Sequence, residues 1–155
     1  MTLKPMVIQQ YQSFADKAAE ATQTLPQPPE GWLRSMRKAL GLSGAQLARR
    51  MGVTRARIAK AEQAEKLGGI TLKSMQDAAS AMGCRFVYAI VPASGSSEDL
   101  ILAQARKKAQ AIVGIASGHM ALENQALPDD RITRETERLA QQLAREMPPG
   151  FWDDP

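Results

Sequence analysis

Residues 42–63 read "LSGAQLARRMGVTRARIAKAEQ". Leu47, Ala48 and Met51 lie on one side of Gly52, with Val53, Ile58 and Ala61 on the other, and five basic side chains stand among them against one acid, Glu62. The spacing predicts two short helices packed through that apolar seam. Ala48 is small enough for the helices to approach closely, and Gly52 suits the turn between them. Ser43 followed three residues later by Gln46 is a capping box for the first helix, and Thr54 is an N-cap for the second. Two helices so joined form a helix-turn-helix, whose second helix enters the major groove of DNA.

The exposed positions of the second helix carry the chemistry that such a docking needs. Arg55, Ala56 and Lys60 fall where base edges would be reached, and Arg57 where it could serve either a base or a phosphate: Arg and Lys match the O6 and N7 acceptors of guanine, and the Ala56 methyl can meet a thymine methyl. The first helix offers its N-terminus to a phosphate through Ser43 and Gly44, with Arg49, Gln63 and Lys66 as further backbone contacts.

Composition agrees with this segment-level reading. The 155 residues are 44% hydrophobic, 23% charged and only 5% aromatic, which suits a mostly helical chain of one compact domain with extensions. Residues 1–30 have net charge −1, residues 31–92 net +8 and residues 93–155 net −3, so a polyanion partner is expected for the middle alone. Neither a membrane-spanning run nor a signal peptide is legible, and a cytoplasmic protein is expected. One cysteine, Cys84, and one histidine, His119, leave no Cys/His metal cluster, and Cys84 in an apolar run reads as a core residue. With no phosphate-binding glycine loop and no nucleophile beside a base, we expect no enzyme, no metal and no cofactor.

Punctuation divides the chain into an N-terminal arm with a proline-rich connector (1–30), a helix-turn-helix domain with a strand (31–92) and a C-terminal helical region (93–155). In the arm, Val7, Tyr11, Phe14, Ala18 and Leu25 form one helical stripe, halted by the prolines at 26, 28 and 29. The domain reads as helices over 32–40, 43–51, 54 to about 63, and 71–82. Then "CRFVYAIVP" (84–92) alternates like a strand and stops at Pro92. A lone strand leaves its backbone groups unpaired, so Phe86, Val87, Tyr88, Ala89 and Ile90 are expected to pair with a second copy of the chain. Beyond the hinge "ASGSS", Ser97 is expected to cap a long helix from 98 to about 125 with Leu100, Ile112, Val113, Ala116 and Met120 among its apolar positions. Ile132, Thr136, Leu139, Leu143 and Met147 mark a last helix, followed by Phe151 and Trp152 as exposed aromatics and candidate partner anchors. The expected fold is therefore mainly α: a helix-turn-helix domain, a short dimer-pairing β-strand and a C-terminal helical extension.

Leu47, Ala48, Gly52, Val53, Ile58 and Glu62 resemble the pattern of the Cro/cI-type, XRE-like DNA-binding domain over residues 32–83. That resemblance implies a partly buried ion pair between Arg37 and Glu62. More narrowly, "GWLRSMRKALG", "QLARRMGVTRARIAKAE", "ITLKSMQDAA", "CRFVYAIVP", "HMALENQ" and "FWDD" resemble the family called mobile mystery protein A over nearly the whole chain. Members of that family are encoded on mobile elements beside a Fic-domain protein. The resemblance implies an antitoxin-like repressor that autoregulates an operon shared with a Fic-type partner. Antitoxins that silence Fic enzymes directly often carry Ser or Thr, three residues, then Glu followed by Gly or Asn. Here Glu123 and Asn124 match the end of that pattern, while His119 stands at the hydroxyl position. Glu123, with Phe151 and Trp152, completes the set of candidate partner-binding residues.

Overall fold

A computed structural model of the chain describes residues 5–124 and 127–155. Among these residues there are seven helices: α1 (Pro5–Thr22), α2 (Trp32–Ala39), α3 (Gly44–Met51), α4 (Arg55–Leu67), α5 (Leu72–Ala81), α6 (Ser97–Leu122) and α7 (Asp129–Glu146). They fall into two compact units, Thr24–Ala89 and, as far as it is described, Met1–Gln23 with Ile90–Pro155. The proline-rich connector thus lies with the α2–α5 unit, and α1 with α6 and α7. No helix among the described residues is long and apolar enough to cross a membrane.

Local signals set the boundaries of the first unit. Ser43 and Gln46 form the capping box of α3, Thr54 caps α4, Thr71 caps α5, and Gly52 ends α3 at φ 68°. Helix α4 continues past residue 63 to Leu67 and stops at Gly68, one turn beyond the expected loop. The core consists of Leu33, Leu47, Ala48, Ile58, Met75, Ala78 and Met82, so one or two side chains from each of α2, α3 and α4 meet the face of α5. Leu47 and Ile58 are 1% and 4% exposed. The second of these places the apolar side of α4 inward and leaves its opposite side to solvent.

Among the described residues no strand is formed. Residues 84–92 have no regular structure, and the Arg85–Val91 amides donate no hydrogen bond among the described residues. A strand exists by its ladder, and a single chain supplies no second rail here. What remains is the alternation: Cys84 and Phe86 pack on the core, whereas Arg85 and Val87 are exposed.

In the other unit α6 and α7 form an antiparallel hairpin whose core is Ala105, Ala109, Ala140 and Phe151. Three corrections to the sequence reading arise in this unit. The cap of α6 is Ser96, boxed with Asp99, whereas Ser97 donates its N–H and hydroxyl to Asp16 of α1. The buried face of α6 is its alanine face, and Leu100 and Ile112 are 44% and 50% exposed, because α7 approaches closely where side chains are small. Finally, α1 buries no residue completely: Tyr11 and Phe14 of its predicted stripe face solvent, and Leu25 lies beyond the helix end.

Candidate nucleic-acid interface

The N-termini of α3 and α4 lie side by side. A methyl group built on Gly44 would sit 3.9 Å from the Arg55 Cγ, so the Arg55 stem lies beside the start of α3. At the head of α3 the Ser43 Oγ accepts from the Gln46 N–H at 3.1 Å, and the Gln46 Oε1 accepts from the Ser43 N–H at 2.8 Å. This leaves the Gly44 and Ala45 amides as the donors without a helical acceptor. Thr54 does the same for α4 by accepting from the Arg57 N–H at 3.2 Å. Two helix starts with open amides, each a partial positive charge, thus share one surface.

Exposed cations run along both helices: Arg55 and Arg57 in the first turn of α4, Lys60 after them, and Arg49 and Lys66 in the last turns of α3 and α4. Arg49, Arg55, Arg57, Lys60 and Lys66 are all exposed, and none lies within ion-pair distance of an acid among the described residues. Ala56, Ala59 and Gln63 are exposed on the same helix. Arg50, also in the basic run, is spent internally: its Nε donates to the Ala81 carbonyl at 2.7 Å, at the C-terminus of α5, where a cation also meets the helix dipole.

The acids of α4 are all turned the other way. Arg37 of α2 donates from Nε to Glu62 Oε1 at 2.6 Å and from Nη2 to Oε2 at 3.3 Å, while Nη1 donates to the Leu42 carbonyl at 3.0 Å. Their side chains are 14% and 12% exposed, and the hydrogen bond to Glu62 raises the Arg37 pKa above its ordinary value. Glu65 takes a role the sequence reading did not assign. Gly31 offers no side-chain cap to α2, and Glu65 fills that place by accepting from the Trp32 and Leu33 amides at 2.6 and 2.8 Å. Its signal was present: Ile58, Glu62 and Glu65 are spaced four and three apart, which puts both acids on the buried face of α4. Ion pairing and capping thereby withdraw negative charge from the side that carries Arg55, Ala56 and Lys60.

The candidate partner-binding residues are separated by the fold. Phe151 is 4% exposed, packed on Ala105, Ala109 and Ala140, with its carbonyl held by the Gln104 amide at 2.8 Å, so it is a core residue and not an exposed anchor. Burying its ring in the gap left by alanines stabilises the hairpin more than exposure would. Trp152, against it edge-on, is 60% exposed. Glu123 is exposed at the C-cap of α6, and Gln125, the end of "HMALENQ", lies outside the described residues.

Residues 33–88 match the family model for the helix-turn-helix. No curated protein and no solved structure matches the chain. Residues 33–88 are therefore similar to the XRE-type helix-turn-helix domain found in DNA-binding transcription regulators.

Proposed function

We propose that this chain is a sequence-specific repressor that binds a pseudo-palindromic operator as a homodimer. One observation carries the reading: the exposed cations of α3 and α4 lie within ion-pair distance of no acid among the described residues, and Arg55 and Arg57, in the first turn of α4, stand beside two helix N-termini with open amides. On this reading Arg55, Ala56, Arg57 and Lys60 meet base edges, and Ser43, Gly44, Arg49, Gln63 and Lys66 meet phosphates. Half-sites about 34 Å apart, or a multiple of that, follow from a two-fold dimer on B-form DNA. Selection of bound duplexes from a random pool tests this, and an asymmetric or absent consensus would refute it. In the selected site Arg55→Ala is expected to cost about 1–3 kcal/mol and relax preference at one base pair, whereas Lys66→Ala weakens all sequences alike and flattens the salt dependence.

A second reading rests on the resemblance to mobile mystery protein A: an antitoxin that autoregulates its operon and also holds a Fic-type partner through its C-terminal helices. Trp152, 60% exposed beside the buried Phe151, is the aromatic that supports it, with Glu123 as a second candidate contact. Co-expression of the adjacent Fic-type protein with Trp152→Ala is expected to reduce its capture at least tenfold with operator binding unchanged. Equal capture would leave this reading without its proposed anchor.

A further inference from the structure

The hydrogen-bonding directions of residues 84–92 define how a second copy can join. In an extended chain successive N–H groups point to opposite edges. The Cys84 N–H points at its own α5, donating to the Ala79 carbonyl at 2.8 Å. Continued as an extended strand beyond that point, the chain would turn the amides of residues 86, 88 and 90 to the same side and those of residues 85, 87, 89 and 91 to the open side. Side chains alternate perpendicular to this. Phe86 packs on the core and stacks on Tyr88 with ring centroids 5.6 Å apart, while Tyr88 and Ile90 are 64% and 93% exposed. So apolar an exposed run with unpaired amides is the edge that folded proteins ordinarily cover.

We propose that two copies pair as antiparallel strands about a two-fold axis through Tyr88, so that Phe86 of each copy faces Ile90 of the other. The proposal rests on the homodimer reading above and specifies its interface. A two-fold axis perpendicular to the strands must pass through a residue, because opposite side chains share a face. Four features select Tyr88. Gly83 at φ 73° and the bend at residues 93–95 limit the paired length to residues 84–92, and Tyr88 is its midpoint. In this register Cys84, whose N–H is already used, falls opposite Pro92, which has none, at a position where neither needs to donate. The amides of Arg85, Val87, Ala89 and Val91 then all enter the ladder, more than axes through Phe86 or Val87 would employ. Finally, this axis holds the two Arg85 side chains farther apart than either of those axes, and like charges oppose close pairing.

Ile90 in that register meets a groove already lined with apolar side chains. Trp32, Met36, Met75, Met82, Cys84 and Phe86 line it within the α2–α5 unit, and the side chain opposite Phe86 is the one placed to cover it. The second copy thus supplies both a backbone edge and an apolar lid.

Cysteine cross-linking in a Cys84→Ser chain tests the register. At the axis, a non-hydrogen-bonded position, Cα atoms are about 4.5 Å apart, within disulfide reach; Val87 and Ala89 meet their own copies only diagonally, at roughly 7–8 Å. Tyr88→Cys is expected to oxidise to a covalent dimer, whereas Val87→Cys and Ala89→Cys alone stay monomeric on a non-reducing gel and cross-link when mixed. Ile90→Arg is expected to convert the dimer to a monomer in sedimentation, with its helical circular dichroism unchanged. A covalent dimer from Val87→Cys alone overturns the register but leaves the dimeric regulator standing if the unmodified chain sediments as a dimer. A dimer unaffected by Ile90→Arg, with no cross-link at residue 88, overturns this interface. A monomeric unmodified chain overturns both the interface and the homodimer reading, and duplex selection then reports separately on DNA recognition.

Discussion

Glu62 and Glu65 show how single residues on one helix settle the electrostatics of the opposite face. Had either been left unpaired near Arg55 or Lys60, it would have offset the positive surface that a phosphate backbone needs. Glu62 is instead consumed by Arg37 in a pair that is mostly buried, and Glu65 by the amides that open α2. Such a pair matters chiefly through what is left when half of it is removed. Glu62→Ala is therefore expected to destabilise the α2–α5 unit by about 3 kcal/mol, because Arg37 loses its partner while still covered by protein. The double change Arg37→Met with Glu62→Leu should cost clearly less than the single one. Urea unfolding of both variants measures this, and equal losses would mean the pair itself carries the stability. The Arg37–Glu62 geometry and the Ser43–Gln46 capping box are local or family-patterned features that the sequence displays. The capping role of Glu65 depends on α4 returning across the start of α2, which no local pattern states.

Helix ends were more legible than helix faces. The caps of α3, α4 and α5 follow from Ser43, Thr54 and Thr71, since each cap bond closes within three residues. The face of α6 was not legible. Hydrophobicity alone ranks leucine and isoleucine above alanine, yet Ala105 and Ala109 are fully buried while Ile112 and Ile115 are 50% and 67% exposed. Interhelical distance decides such a face, and α7 with Ala140 comes too close for a larger side chain. Farther along α6, nothing lies within 4 Å of a methyl group placed on Gly114 or Gly118. Gly114→Ala is therefore expected to stabilise the chain by about 0.5–1 kcal/mol through helix propensity. Thermal unfolding followed by circular dichroism reads the shift, and a loss of stability would indicate that another surface approaches this side of α6.

For the molecule as a whole, acid stability follows from the carboxylates outside the helix-turn-helix. The Arg106 hydrogen bonds lower the Glu137 pKa, the Ser96 amide lowers that of Asp99, and Lys107 lowers that of Asp154. In the unfolded chain these groups titrate near their ordinary values of 4.5 and 3.8, and in the folded chain below them. The stabilisation they supply is thus complete above about pH 5 and is lost as pH falls through the folded values. Unfolding midpoints are expected to be insensitive to these groups from pH 5 to 8 and to decline below about pH 4. Glu137→Gln should blunt that decline, and an unchanged acid profile would discount its contribution.

By itself the sequence determined the helices of the α2–α5 unit, the caps of α3, α4 and α5, the inward set Leu47, Ala48 and Ile58, and the outward basic side of α4. Each of these is written within one or two helical turns, where periodicity and capping act. Tertiary structure decided the rest: that Glu65 caps α2, that Arg50 ties α3 to α5, that Phe151 is interior, and that α6 buries alanines. Those outcomes depend on how closely segments distant in sequence approach, and the excluded volume and hydrogen-bond partners that set this distance are supplied only by the packed chain.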